Sequence, residues 1–211
     1  GSAIDFVTER MESNFVEACQ WLCKKFGIPI ENYYHAKNSI KEVCIKKKLK
    51  SEKTEKPFSK NVAQWILDNN SLTEKGKEFL FGKRFLNNEV IKQLNIVSID
   101  DSKLLVKKMV KVFDSNTLQD SGFITATNGK LYFCLFTPCL IFPYYDERTD
   151  LIGMQSRYLG TQKDAPRFQF ISAQKTRLFN LPVLNTMKSG EDLYISEGVT
   201  DCLALLSTGK K

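Results

Sequence analysis

The first periodic segment of the chain has a helical pattern. Apolar side chains recur three and four positions apart between residues 13 and 27: Phe15, Ala18, Cys19, Leu22, Cys23 and Phe26. This spacing places them on one face of an α-helix. Asn14 followed by Glu17 has the form of a capping box, and Gly27 is suited to end a helix. The pattern therefore predicts an amphipathic helix over residues 13–27.

A polar, lysine-rich segment follows. Eight lysines lie between Lys41 and Lys60, diluted by three glutamates, and Pro57 marks the return to order. Such a charge run predicts a mobile linker over residues 41–57. A solvated linker is favoured over one that contacts phosphates, because charge runs are usually solvated.

Residues 59–113 show several short helical patterns. We expect one helix around Trp65, a second from Thr73 to Phe81, a third starting at Asn87 or Asn88, and a fourth from Ser102 to Phe113. The last has an apolar side and a stripe of lysines: Lys103, Lys107 and Lys111. Such a stripe is typical of a solvent-facing helix surface.

From Gly122 the hydrophobic period changes to two. Asn128-Gly129 between two apolar runs predicts a hairpin. A second hairpin is expected around the acidic turn 146–150, and another extended run covers residues 167–171. Helices followed by a mostly antiparallel sheet indicate the α+β class.

The last twenty residues change character again. Leu193–Ser196 predicts a short strand, Glu197-Gly198 a turn, and Asp201 the start of a helix that Gly209 ends. A single strand and helix cannot form a domain alone, so we expect that this chain is cut from a longer protein at the first βα unit of an α/β domain.

Composition and charge narrow the function. The 211 residues are 42% hydrophobic, which excludes a disordered chain, and no apolar run approaches the ~20 residues of a membrane helix. With no signal peptide, we expect a soluble cytoplasmic protein. The net charge of +7 favours a polyanionic partner, although many basic proteins bind none.

Neither the cysteines nor the histidine indicates a site. The six cysteines lack the paired short spacing of a zinc ribbon and are interpreted as buried thiols. His35 is the only histidine, which argues against Ser–His or Cys–His catalysis.

One pair of acidic residues is a candidate for a chemical role. Glu197 falls at the carboxyl end of the predicted strand, where α/β sheets place their chemistry, and Asp201 follows in the first turn of the helix. Two carboxylates at such a place suit Mg²⁺, and Glu197 could also act as a general base. The alternative is that Asp201 caps the helix and Glu197 is solvated.

Several motifs in one order resemble bacterial DnaG-type DNA primases. Residues 193–201 resemble the opening motif of the Toprim fold, and residues 84–91 resemble the primase signature Arg-Gly-Leu-Ser-x-Glu-x-Ile. Residues 4–27 resemble the helix that closes the primase zinc-binding domain. Other segments look like further primase motifs: residues 118–123, 141–146, 152–157, 166–168 and 178–181.

The resemblance implies an enzyme that makes short RNA primers on single-stranded DNA from ribonucleoside triphosphates, with Mg²⁺ or Mn²⁺. It places Glu197 and Asp201 at the first acidic motif, as catalytic residues and metal ligands. It also implies that four basic residues bind DNA or nucleotide: Arg84, Arg157, Arg167 and, as a stand-in for a basic residue, Lys175. Phe168, next to Arg167, could stack on a base as in proteins that bind single strands. From the pattern alone, Phe168 could be a core residue and Arg157 a surface salt-bridge partner of Asp146 or Glu147.

The resemblance also implies a domain order. Residues 1–40 correspond to the remnant of a zinc-binding domain, 41–57 to the linker, 58–190 to the N-terminal subdomain of the polymerase core, and 191–211 to the start of Toprim. The Zn²⁺ ligands are expected before residue 1 and a second acidic motif after residue 211. A replicative helicase is a possible partner, and no membrane is expected.

The sequence departs from the family pattern at three places. Phe85 replaces the glycine after the arginine, Thr137-Pro138-Cys139 replaces an arginine-rich run, and the loop before Leu178 is shorter. Such divergence suits a phage or mobile-element primase. Two alternatives stay open: another Toprim enzyme, such as a topoisomerase or nuclease-like protein, and a catalytically inactive module that only binds single-stranded DNA.

Overall fold

The computed structural model describes residues 3–27, 58–172 and 178–211. Contacts between Cα atoms divide the chain into two compact units, residues 1–52 and residues 53–211. The predicted linker and Lys175 lie outside the described residues. No helix in the described ranges is long and apolar enough to cross a membrane.

The first unit contains helices α1 (Ala3–Arg10) and α2 (Phe15–Phe26). Asn14 Oδ1 accepts hydrogen bonds from the backbone N–H groups of Val16 and Glu17, and Glu17 Oε2 accepts one from the Asn14 N–H. Gly27 ends α2 in the left-handed conformation, at a φ of 65°. The predicted helix and both of its ends are confirmed.

The second unit begins with short helices whose first turns are capped by side chains. Ser59, Thr73, Asn87, Asp101 and Asp114 each accept a hydrogen bond from the backbone at a helix start. The helices are α3 (Lys60–Asp68), α4 (Glu74–Lys77), a π-helix (Glu78–Lys83), α5 (Asn88–Gln93), α6 (Ser102–Met109) and α7 (Ser115–Gln119).

Two antiparallel sheets follow the predicted order. The strands are β1 (Val97–Ile99), β2 (Ile124–Thr127), β3 (Lys130–Phe133), β4 (Cys139–Tyr145), β5 (Leu151–Tyr158) and β6 (Phe168–Ser172). The larger sheet has the order β1-β4-β5-β6, and β2 pairs with β3. Asn128 and Gly129, at φ of 51° and 72°, form the predicted hairpin turn. The α+β class is confirmed.

Strand β4 separates two hydrophobic cores, which explains its almost continuous burial. Cys139 and Ile141 face one core together with α3, α6 and the hairpin. Leu140 and Phe142 face a second core, which also contains Leu80 of the π-helix. A strand covered on both faces is apolar throughout rather than at every second residue.

The C-terminal segment differs from the prediction in one respect. Residues 193–196 form no strand, and the Ile195 side chain is 88% exposed. In the part of the chain that is described no strand lies beside them, and the backbone of Tyr194 donates only to the Lys211 carbonyl at 2.7 Å. An isolated strand is not stable, so the segment stays irregular. The following helix forms as predicted, as α8 (Val199–Ser207), after a 3₁₀ turn at Leu181–Thr186.

Gly76 sets how closely α4 approaches β1. A Cβ added at Gly76 would lie 2.6 Å from Ser98 Oγ, which also accepts the Thr73 N–H at 2.6 Å. We expect Gly76→Ala to lower the free energy of unfolding by about 1–3 kcal/mol, because the helix must move away from the strand. The matched control is Gly82→Ala, where the nearest atom to a Cβ would be 3.8 Å away. Equal urea midpoints for the two variants would contradict this account.

Candidate nucleic-acid interface

The π-helix positions the first arginine of the site. Its wide turn is closed by the Arg84 N–H, which donates to the Phe79 carbonyl at 3.1 Å, and by the Leu86 N–H, which donates to the Leu80 carbonyl at 2.9 Å. Leu80 is fully buried, and the Phe79 ring packs against the second core. Arg84 is therefore presented from a turn that is anchored on both sides.

The other two arginines come from neighbouring strands. Arg157 lies on β5 directly opposite Phe168 of β6. Arg167 precedes β6, and its carbonyl accepts the Tyr158 N–H at 3.0 Å, which extends the ladder. The antiparallel register thus places Arg157 and Arg167 at the same end of the sheet.

Two phenylalanine rings bring the three guanidinium groups together. Arg84 and Arg157 lie 5.6 and 4.4 Å from the centroid of Phe79. Arg157 and Arg167 lie 5.1 and 5.7 Å from the centroid of Phe168. Because each ring contacts two arginines, Arg84, Arg157 and Arg167 form one group, which we call the arginine cluster. The rings stabilise it by cation–π attraction.

Carboxylates of the described residues do not neutralise the arginine cluster. Within the described residues none of the three arginines forms an ion pair with a carboxylate. The alternative salt bridge from Arg157 is absent, because Asp146 instead accepts the N–H groups of Arg148 and Asp150 in its own turn. Three like charges without a partner favour an anionic ligand.

Arg157 is the most constrained member of the cluster. It is only 7% exposed, and its Nε has no hydrogen-bond partner among the described residues. Burial, followed by the nearby charges of Arg167 and Arg84, lowers the pKa of Arg157 to about 10. Because buried charges are usually paired or hydrogen-bonded, this guanidinium is suited to bind an anion.

Phe168 lies beside the arginines at the edge of the sheet rather than in the core. It is 39% exposed, so it is not a core residue, and its ring contacts Arg157 and Arg167. Phe170, two residues on, contributes to the core through a T-shaped contact with Tyr144. Phe168 therefore supports the arginines from the edge of the sheet.

The acidic pair lies at the start of α8. Glu197 and Asp201 are both exposed, and within the described residues neither carboxylate forms a hydrogen bond or an ion pair. Gly198, rather than Asp201, is the N-cap of the helix. A Cβ at Gly198 would lie 3.0 Å from Asp201 Oδ2, so glycine leaves room for this carboxylate beside the turn.

One core holds both parts of the site. Val199 and Leu203 of α8 are buried in the second core with Leu80. Phe79, whose ring contacts Arg84 and Arg157, packs against the same core. The Asn87 N–H also donates to Ser207 Oγ of α8 at 2.9 Å. The acidic turn and the arginine cluster are therefore built on one packed unit.

The sequence analysis missed Phe79. Its position five residues before Arg84 becomes meaningful only with the π-helix, whose hydrogen-bond pattern no sequence period indicates. Across residues 3–27, 58–172 and 178–211, no group of three or more His, Cys, Asp or Glu side chains could hold a metal ion. The acidic pair at the start of α8 supplies two carboxylates, so it does not by itself form such a group.

Comparisons with known proteins point in one direction. A family model described as DNA primase catalytic core, N-terminal domain, matches residues 63–182. Curated DNA primases from Clostridium acetobutylicum and Neisseria meningitidis are 28% and 26% identical over 99% of this chain, which covers 34% and 35% of those proteins. The chain therefore spans about a third of the length of these relatives.

Solved structures show the same fold. The zinc-binding and RNA polymerase domains of the Aquifex aeolicus primase match with a TM-score of 0.59 and 20% identity, over 99% of this chain and 49% of that one. A DnaG primase catalytic domain bound to single-stranded DNA matches with a TM-score of 0.58 and 20% identity, over 71% of this chain and 52% of that one.

Proposed function

Because this chain belongs to the family of DNA primase catalytic core N-terminal domains, we propose that it is the template-binding part of a larger primase. The arginine cluster binds phosphates of an unpaired DNA strand or of the incoming ribonucleoside triphosphates. Glu197 and Asp201 lie at the acidic turn that takes part in nucleotidyl transfer. The likeness to a DnaG catalytic domain bound to single-stranded DNA supports the choice of ligand.

The proposal rests mainly on the surroundings of Arg157. It is buried, has no carboxylate partner within the described residues, and lies between two further arginines. Phosphates match this arrangement, because guanidinium groups bind their oxygens through paired, charge-assisted hydrogen bonds. A single strand brings such phosphates at close and regular spacing, which three arginines can follow.

The acidic pair defines the second half of the proposal. Glu197 and Asp201 would hold Mg²⁺ or Mn²⁺, which when bound would stabilise charge on the reacting phosphate oxygens. This chain's own residues orient the strand through the arginine cluster and place the two carboxylates on the same packed unit. Use of ribonucleoside triphosphates, a replicative helicase as partner, zinc ligands upstream of residue 1 and a phage or mobile-element origin remain predictions.

Removal of one arginine tests the phosphate contacts. We expect Arg167→Ala to weaken binding of a fluorescent single-stranded oligonucleotide and to reduce the slope of log K against log salt by about one. Lys107→Ala is the matched control, since it removes one exposed charge from α6. Fluorescence anisotropy at several salt concentrations measures both. Identical slopes for Arg167→Ala and the unmodified protein would remove Arg167 from the phosphate path.

Primer synthesis by residues 1–211 alone is expected to fail. Two-metal nucleotidyl transfer needs several carboxylates, whereas the described residues contain no group of three or more His, Cys, Asp or Glu side chains that could hold a metal ion. The assay uses a single-stranded template, labelled ribonucleoside triphosphates and Mg²⁺. Robust template-dependent products would contradict this expectation.

A non-catalytic function is the second candidate. It is favoured by the finding that no group of three or more possible metal ligands occurs within the described residues. A module that only binds single-stranded DNA needs the arginine cluster but not the acidic pair. It predicts that the longer parent protein binds single-stranded DNA but makes no primers, and that Glu197→Gln leaves this DNA binding unchanged.

A further inference from the structure

Phe85 has an exposed ring on an unfavourable backbone. Its φ is 54°, in the left-handed region that suits glycine, and its side chain is 82% exposed. It is the most exposed aromatic residue in the described part of the chain. A bulky side chain rarely adopts this conformation, and an exposed ring gains little from packing, so folding alone does not explain a phenylalanine here.

The backbone on both sides of Phe85 is fixed. Arg84 N–H donates to the Phe79 carbonyl, Leu86 N–H donates to the Leu80 carbonyl, and Leu86 is buried. One residue further, the Asn87 N–H donates to Ser207 Oγ at 2.9 Å. The ring is therefore presented from a rigid turn, which reduces the entropy lost when a ligand contacts it.

Phe85 is also the open aromatic surface next to the arginine cluster. Guanidinium groups already contact the rings of Phe79 and Phe168. Phe85 follows Arg84 directly, so the two Cα atoms are about 3.8 Å apart. Proteins that bind single strands combine such cationic contacts to the backbone with aromatic rings on which bases stack.

We propose that Phe85 stacks on an unpaired base of the strand whose phosphates the arginine cluster binds. The inference rests on the proposed function and adds a specific contact to it. The contact is insensitive to base identity, because every base offers a π-face. It also contributes no charge, which separates its effect from that of the arginines.

Phe85→Gly tests the proposal. We expect roughly tenfold weaker binding of single-stranded DNA, an unchanged salt slope, and a higher melting temperature, because glycine relieves the backbone strain. Phe85→Trp should retain the affinity. Tyr132→Ala, which removes another exposed ring from the β2–β3 hairpin, is the matched control and should bind like the unmodified protein.

A 2-aminopurine in the oligonucleotide reports stacking directly. Its fluorescence should be quenched on binding to the unmodified protein and to Phe85→Trp, and less so on binding to Phe85→Gly. Full affinity and full quenching in Phe85→Gly, together with weak binding by Arg167→Ala, would overturn the stacking role alone. Absence of binding by the unmodified 211-residue chain would overturn the proposed function and this inference together.

Discussion

Arg157→Met should make the protein more stable and a poorer binder of single-stranded DNA. Methionine fills a similar volume between the rings of Phe79 and Phe168 and removes a buried charge that has no carboxylate partner within the described residues. We expect the free energy of unfolding to rise by about 1–3 kcal/mol. We expect affinity for an oligonucleotide to fall roughly 10- to 100-fold, as for a lost charge-assisted contact of about 1.5–3 kcal/mol.

Urea unfolding and fluorescence anisotropy measure the two effects on the same preparation. The matched control is Arg148→Met, which removes an exposed charge from the β4–β5 turn. Exposed substitutions usually change stability by less than about 0.5 kcal/mol, so this variant should be close to neutral. A lower free energy of unfolding in Arg157→Met would contradict this account, because it would show that the Arg157 guanidinium stabilises the fold.

The second large effect is expected at the acidic turn. In the longer parent protein, Glu197→Gln and Asp201→Asn should each lower the rate of primer synthesis by roughly a hundredfold or more, because each removes the negative charge of a proposed metal ligand. Both side chains are exposed and unpaired within the described residues, so the fold should be unaffected.

The dependence of primer synthesis on metal concentration distinguishes a carboxylate that binds the metal from one that only shapes the turn. If the carboxylates bind the ion, a higher concentration of Mn²⁺ or Mg²⁺ should partly restore the rate of primer synthesis in these variants. Glu191→Gln is a suitable control, since Glu191 is a nearby carboxylate engaged by Lys211 Nζ at 3.1 Å. Full activity in Glu197→Gln and Asp201→Asn would contradict the proposed role of these carboxylates in nucleotidyl transfer, whereas absence of primer synthesis by the unmodified parent protein would favour the non-catalytic module.

Local rules predicted most of the fold. The capping box at Asn14 and the Asn128-Gly129 turn are each determined by neighbouring residues, so the sequence alone indicates them. Strand β1 was missed because it is three residues long and is stabilised by pairing with β4, forty residues later. The strand predicted at 193–196 failed for the opposite reason, because no described strand lies beside it.

The site could be predicted only in part. The resemblance selected Arg84, Arg157 and Arg167, which the structure does bring together. It could not indicate that Phe79 joins them, that Arg157 is buried without a partner, or that Phe85 keeps a positive φ, because these properties depend on tertiary packing around the π-helix.

Photocrosslinking of a bound single strand tests the central claim most directly. A strand that carries photoreactive bases, bound to the 211-residue chain, should crosslink to peptides that contain the arginine cluster and Phe85, and to the acidic turn at Glu197. Mass spectrometry locates the crosslinks. Crosslinks confined to the lysine stripe of α6 or to the β2–β3 hairpin would contradict the claim that the arginine cluster and the acidic pair form one site.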